Sequence, residues 1–288
     1  MKIGVIGAGI VGGATGKIIS LKHEVLYYDK YKALYNNNEN LKNLAQNAEI
    51  IFICVPTPMK PSGEMDYSAI HNSLDSLLQE VNAVGRNPEE IIVVIRSTAV
   101  SGTTDSLAKK YPFKFAFNPE FLREKHAEED MRNINRVVVG ANEPEVSEKI
   151  VRMYKEIFPD AKYELFNIKT AEMIKYAANV TLASQIAIAN ELYSICYALG
   201  IDYSAVRNSI LHDSRIGNNT QVPGHDGDFG FGGKCFPKDL NALIHLAREN
   251  HLRPYLLEEV WRLNLNVRKN KDWLDIKGAT TINNFDKK

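Results

Sequence analysis

Short apolar runs alternate with longer amphipathic ones through the first half of the chain, and this rhythm predicts strands and helices in turn. Lys2 to Gly7, Glu24 to Tyr28, Glu49 to Val55, Ile91 to Ile95, Lys114 to Phe117, Arg136 to Gly140 and Tyr163 to Phe166 are brief and apolar. Their β-branched and aromatic content suits strands buried in a sheet. Between them, Val11 to Leu21, Tyr67 to Val84 and Glu145 to Phe158 carry helical spacing. Residues 30 to 48 are polar and Asn-rich, reading as a helix and loop, and Met59 to Gly63 reads as loop. The repeated strand and helix signals predict an α/β domain over residues 1–166, built as a doubly wound sheet.

The pattern then changes. From Lys169 to Gly200 a single helix pattern runs without Pro or Gly inside it. Ala171, Ile174, Ala178, Leu182, Ile186, Ala189, Leu192 and Ile195 make it apolar on more than one side. Such a helix is expected to be buried all round, between its own domain and a partner subunit, so a homodimer through 169–200 is predicted. A helix from Tyr203 to Leu211, a polar loop, a glycine-rich segment and a helix ending near Val267 complete an all-α domain over 167–270. Residues 271–288 read as a polar tail.

Composition narrows the function classes. The 288 residues suffice for two domains and a sizeable core. Lys plus Arg and Asp plus Glu number 35 each, so no global field draws nucleic acid or acidic lipid. No apolar run approaches the ~18 residues that span a bilayer. The N-terminus enters an apolar strand pattern at once, without a signal-peptide layout. Three unevenly placed cysteines do not make a disulfide framework. Cys54 and Cys196 fall in core-like runs. The expectation is a soluble, cytoplasmic, reduced protein with no nucleic-acid or membrane partner and no metal.

Two stretches carry chemistry. The first strand leads into GAGIVG, with Gly7, Gly9 and Gly12 around Ile10 and Val11; a helix, a second strand, then Asp29 and Lys30 follow. That order is the dinucleotide fingerprint in its context, a Rossmann-like arrangement. The glycines admit the pyrophosphate to the helix N-terminus, and Asp29 would accept from the ribose hydroxyls. A carboxylate there repels a 2′-phosphate, which favours NAD over NADP. Strand ends deliver Val55-Pro56-Thr57 and Ser97-Thr98 to the same edge. Thr98 is a candidate hydroxyl in the site, with a helix cap as its other reading.

The second stretch is Gly230 to Asp239, GFGGKCFPKD. Its glycines let the main chain run close to a ligand. Pro237 suits a helix's first turn, so Cys235 sits at or just before a helix N-terminus, between Lys234 and Lys238. The dipole and both ammonium groups favour thiolate. Asp239 would share its side of the helix. A lowered-pKa thiol beside a carboxylate suits covalent carbonyl chemistry, whereas a buried packing cysteine is the plainer reading. Lys175 is the only charge between Glu172 and Glu191, with Asn179 one turn on; a buried ammonium needs a role or a partner unless it snorkels to solvent. Glu120 and Glu124 would share a face were Asn118 to Glu124 helical, with Arg123 between them free to salt-bridge at the surface.

Together these motifs resemble the UDP-glucose 6-dehydrogenases of the UDP-glucose/GDP-mannose dehydrogenase family. The resemblance runs from Lys2 to about Val267 and includes NPEFLRE at 118–124, Lys175 with Asn179, and Arg215-Ile216-Gly217-Asn218. It implies oxidation of a sugar's 6-hydroxymethyl group to a carboxylate with two NAD+, Cys235 carrying a thiohemiacetal and then a thioester. By the same resemblance Lys175 and Asn179 stabilise the oxyanion, Asp239 and Thr98 manage proton and water, and Glu120 or Glu124 assists hydrolysis. Phe121, Leu122, Arg123 and Glu124 with Phe231, Gly232 and Gly233 would hold the UDP-sugar, and Arg215 would reach the neighbouring subunit's substrate. Family members continue into a third domain that grips the uridine, so a short form is expected. GDP-mannose dehydrogenase stays open as an alternative, as do a two-domain 3-hydroxyacid dehydrogenase, which needs no catalytic cysteine, and a truncated binding protein.

Overall fold

The computed structural model describes residues 1–281 apart from 215, 218, 219 and 277, with the side chain of Glu124 also outside the description. Seven strands form a single sheet: β1 (Lys2–Ile6), β2 (Glu24–Tyr28), β3 (Ile50–Ile53), β4 (Ile92–Ile95), β5 (Lys114–Phe117), β6 (Arg136–Ala141) and β7 (Lys162–Phe166). Their order is β2-β1-β3-β4-β5-β6-β7, parallel throughout except where β5 meets β6. The helices are α1 (Ile10–Ile19), α2 (Asn38–Asn47), α3 (Ser68–Ala83), α4 (Thr103–Lys110), α5 (Ala127–Arg132), α6 (Pro144–Lys155), α7 (Ile168–Ala198), α8 (Tyr203–Ile210), α9 (Phe236–Glu249) and α10 (Tyr255–Val267). The α/β reading followed by helices therefore holds.

Strand side chains alternate between the two faces, as a pleat requires. Ile51, Ile53, Val93 and Ile95 pack with α2, α3 and α4 through Leu44, Leu74, Leu77 and Leu107. Ile50, Phe52, Ile92 and Val94 pack with α1, α5 and α6 through Ile18, Met131, Ile150 and Tyr154. The short helices α4 and α5 escape sequence reasoning because TTDSLAKK and AEEDMR each offer little apolar periodicity.

The chain divides into two compact units, one of Met1–Thr57 with Tyr67–Lys175, the other of Pro58–Asp66 with the chain from Tyr176 onward. The first turns of α7 belong with the sheet because Ile168 and Ala171 lie in its core. In the second unit Val180, Ala183, Ala187, Phe231, Leu240, Ile244 and Val260 form one cluster, and Ala189, Cys196, Tyr203 and Val222 another. Residues 271–281 are packed rather than trailing: Trp273 is 3% exposed and Thr280 pairs with Met59. Two aromatic and small apolar side chains, Trp273 and Ala279, anchor a stretch whose average composition is polar. Among the described residues no helix is long and apolar enough to cross a membrane.

Candidate active site

The fingerprint loop is shaped by backbone contacts. The chain leaves β1 through Gly7 at φ +93°, where a Cβ would meet the Cys54 carbonyl at 2.8 Å. At Gly12 a Cβ would meet the Gly7 oxygen at 1.9 Å, so α1 can pack this closely only on glycine. Gly9 differs: it is the N-cap of α1, no side chain caps the helix, and a Cβ there would meet nothing within 4 Å. Unpaired helix N–H groups beside open space are a cradle for an anion, and a dinucleotide's pyrophosphate fits it.

Asp29, just past β2, closes the other side of that loop. Its Oδ2 accepts the Ala8 N–H at 2.7 Å, and its Oδ1 accepts those of Tyr31 and Lys32 at 2.8 and 3.0 Å. A carboxylate has about four acceptor positions, so capacity remains for a hydroxyl. The basic residue brought onto this loop is Lys32, which donates to the Ala8 carbonyl; Lys30 is exposed. Nothing in the spacing distinguished those two lysines.

The loops after β3 and β4 are laced together at the strands' carboxyl ends, where open α/β sheets bind ligands. Ser97 Oγ donates to the Val55 carbonyl at 2.7 Å, and Thr57 Oγ1 to that of Thr98 at 2.9 Å. Thr98 is not a helix cap. The next helix, α4, starts behind Gly102, and the carboxylate of Glu172 takes the N–H groups of Gly102 at 2.6 Å and Thr104 at 2.8 Å. Burial raises the Glu172 carboxyl to about 7 despite those bonds. This cap lies in another helix, beyond the reach of local sequence reasoning.

Asn118 to Arg123 is irregular rather than helical, and only Glu124–His126 turns, as a 3-10 helix. The shared face expected for Glu120 and Glu124 therefore does not form. Pro119 follows Asn118, whose side chain is spent on tertiary bonds: it donates to the Val138 carbonyl at 2.7 Å and accepts from Tyr154 at 2.8 Å. Glu120, 7% exposed, accepts the Leu122 N–H at 2.8 Å and the Lys175 ammonium at 3.0 Å. Burial pushes its carboxyl up, but Lys175, the Leu122 N–H and Arg96 outweigh burial and hold it below the usual range. Lys175, 3% exposed, has thus found its partner and does not snorkel. The Phe121 ring faces the Lys175 ammonium at 5.7 Å and the Arg136 guanidinium at 4.6 Å. Arg123 takes its surface reading, forking onto Asp130 at 2.6 to 3.1 Å.

In the second unit, Cys235 is the N-cap of α9, with Pro237 in the first turn. The Asp239 N–H bonds the Cys235 carbonyl at 2.8 Å. Asp239 is fully buried; Asn179 Nδ2 donates to one of its oxygens and the Lys238 ammonium to the other. Cys235 is half-buried and outside any disulfide. Lys238 enters as a direct partner of Asp239, where its position beside the cysteine had suggested only a field. Lys175 and Asn179 stand one turn apart on α7. Arg215 lies outside the described residues.

Comparisons with known proteins give this geometry a family. Residues 28–158 match the NAD binding domain of the UDP-glucose/GDP-mannose dehydrogenase family, and residues 169–266 its central domain. The UDP-glucose 6-dehydrogenase of Rickettsia felis is 35% identical over 241 residues, 82% of this chain and 50% of that protein. YtcA of Bacillus subtilis is 31% identical over 300 residues, 92% of this chain and 67% of that protein. A UDP-glucose dehydrogenase structure from Pyrobaculum islandicum superposes with a TM-score of 0.80 at 28% identity, over 92% of this chain and 68% of that one. The chain spans about half the length of the Rickettsia relative. With both family domains matched in order along it, the chain belongs to the UDP-glucose/GDP-mannose dehydrogenase family.

Proposed function

We propose that this chain oxidises the 6-hydroxymethyl group of a nucleotide sugar to the carboxylate in two steps, UDP-glucose to UDP-glucuronate, with Cys235 as the nucleophile. The observation that carries this reading is the position of Cys235 at the start of α9, one turn before a fully buried Asp239 whose two oxygens are both held. The helix start favours thiolate, the form that attacks a carbonyl carbon. Gly9 at the start of α1 and Asp29 would hold NAD+, which would supply the acceptor for both hydrides.

The residues divide the work. Loss of a hydride from C6 and of the hydroxyl proton gives an aldehyde, to whose carbon the Cys235 sulfur adds as a thiohemiacetal; loss of a second hydride leaves a thioester, which water hydrolyses to the carboxylate with return of the thiol. Lys175 and Asn179 stabilise the oxyanion at each addition, since fixed donors in a water-poor site need no reorganisation. Glu120 is a poor base because its pKa is depressed. Its part is to hold the Lys175 ammonium, and water activation falls to Asp239, Thr98 or Glu124. The main chain of Phe121 to Glu124 and of Phe231 to Gly233 holds the UDP-sugar. Arg215 acts on the substrate of a second copy in a homodimer. The far half of α7 supports that dimer, because Ile188 and Ile195 remain 58% and 52% exposed.

The test is NADH production from UDP-glucose, GDP-mannose and 3-hydroxyacids in parallel. Two NADH per UDP-glucose is the expected result. One NADH per hydroxyacid, or none from any substrate, would replace this reading with a two-electron dehydrogenase or a binding protein.

A further inference from the structure

The loop ahead of Cys235 is held by side chains from three other places. The N–H of Gly230 goes to Asn190 Oδ1 at 3.0 Å, that of Phe231 to Asn264 Oδ1 at 2.7 Å, and that of Gly233 to both oxygens of Asp272 at 3.1 Å. Asn264 also donates to the Phe231 carbonyl at 3.0 Å, so it pairs with both main-chain groups of that residue. Asn190 and Asn264 are 2% and 1% exposed. One turn beyond Asn264, the Arg268 guanidinium bonds Asp226 at 2.7 Å, Asp272 at 3.3 Å and the Phe229 carbonyl at 3.4 Å. The glycines make room for this frame. A Cβ on Gly230 would meet Asn264 Oδ1 at 2.2 Å, and one on Gly232 would meet Arg268 Nη2 at 2.2 Å.

We propose that Asn264 and Asp272 are positioning residues: they fix the Phe231–Gly233 main chain in the form that receives the nucleotide sugar, and through it set Cys235. This rests on the proposed function of the cysteine segment. A stretch with three glycines in four residues is costly to order, because glycine loses the most backbone freedom. A loop ordered by the fold does not charge that cost to ligand binding. Beside Asn190 of α7, the side chains that order it come from the end of α10 and from residues 268–272, so the segment after α10 acts as a strap on the catalytic loop.

The test uses the full chain with Asp272→Ala, Asp272→Asn and Asn264→Ala. Trp261 and Trp273, the protein's two tryptophans, lie 5.4 Å apart, and Trp261 is 6.5 Å from Phe231, so their emission reports UDP-glucose titration at this loop. Cys235 alkylation by iodoacetamide, followed peptide by peptide, reports the thiol without any sugar. Asp272→Ala should weaken UDP-glucose about tenfold and change the alkylation rate at least about threefold. Asp272→Asn keeps an acceptor oxygen for Gly233 and should restore most of both. NAD affinity should stay within about twofold in all three, because the fingerprint loop and this frame belong to different compact units. Asn264→Ala should lose more; should it fail to fold, the Asp272 pair decides, its side chain being 27% exposed. A lowered melting temperature with wild-type UDP-glucose affinity and wild-type alkylation would overturn the inference. If wild type itself ignores UDP-glucose, the functional reading falls separately. The alkylation rates then still judge the frame, and unchanged rates would sink it.

Discussion

Two glycine loops open two helices in this molecule, and they are built in opposite ways. At the first, backbone meets backbone: Gly7 lies against the Cys54 carbonyl and Gly12 against Gly7, while Gly9 faces open space and α1 goes uncapped. At the second, backbone meets side chains: Gly230 and Gly232 abut Asn264, Arg268 and Asp272, and three N–H groups are already bonded. The first loop bonds the N–H groups of Gly7 and Ala8 within the fold and leaves the start of α1, beside the open space at Gly9, to a ligand's phosphates. The second has spent three of its donors on being held still, which suits the positioning role proposed for it. Neither helix carries a side-chain cap, so what separates the two is whether the loop ahead of the helix is already bonded to side chains from elsewhere.

The sharpest way to break the comparison is to disable what the second loop presents. Cys235→Ser should slow turnover at least ~100-fold, about 2.7 kcal/mol in barrier, because an alcohol is far less ionised near neutral pH and its ester is a poorer acyl donor. Folding should persist, since Ser nearly matches Cys in size and the residue is half-buried. Rapid quench with UDP-glucose should show an accumulating ester or a stall, and NADH yield should fall below two. A near-wild-type rate with one NADH per sugar would remove Cys235 from the chemistry.

The first loop can be tested by separating its two kinds of glycine. Gly12→Ala must displace the Gly7 carbonyl, so it should cost on the order of 1–3 kcal/mol in urea denaturation, the range for overpacking. Gly9→Ala meets nothing within 4 Å and should leave the denaturation midpoint in place. Its methyl would instead enter the space assigned to the pyrophosphate, weakening NAD about tenfold by calorimetry. If both variants lost stability equally, Gly9 would be packing rather than cradle.

This difference also explains what was legible in the sequence. The first loop is specified by glycine spacing within a few residues, so Gly7, Gly9 and Gly12 could be read directly, and Asp29 from its place at the end of the second strand. The position of Cys235 at a helix start was readable too, from Pro237 alone. The frame around it was not, because Asn264 and Asp272 are separated from the loop by α9 and α10 and look like ordinary polar residues. Glu120 and Glu124 misled for the complementary reason. A spacing of four implies a shared face only inside a helix, and Asn118 is drawn out of helix by its bonds to Val138 and Tyr154. Trp273 was hidden within a polar average.

A third helix start is closed by a side chain from another helix. The N–H groups of α4 are closed by the Glu172 carboxylate, buried beside Asp105, and burial lifts that carboxyl to about 7. The native state then holds a proton that the unfolded chain has already released between the ordinary carboxylate range and pH 7. Stability should fall as pH rises through that window, by roughly 3 kcal/mol. Glu120 acts in the opposite sense: its carboxyl is lowered, so its contribution is lost only on acidification below the ordinary range, outside this window. Denaturation midpoints from pH 5 to 8 should decline in wild type and flatten in Glu172→Gln. A flat wild-type profile would mean the carboxylate is fully satisfied by its two N–H donors.

The smallest effect expected is the most direct check on the open loop. Asp29 holds the Ala8, Tyr31 and Lys32 N–H groups while keeping acceptor capacity, and it does so at the end of β2, where an adenosine ribose would lie over the fingerprint. A 2′-phosphate at that ribose would face a like charge, so NAD should bind about tenfold more tightly than NADP, roughly 1.4 kcal/mol. Asp29→Asn keeps one acceptor oxygen for the main chain but removes the charge, and should erase most of the preference by raising NADP affinity rather than by lowering that for NAD. Added salt should shrink the wild-type preference, as it does for any repulsion near the surface. Calorimetric titration of both dinucleotides at two salt concentrations separates these outcomes. Equal affinity in wild type would show that Asp29 serves only the Ala8 turn and leaves the ribose alone.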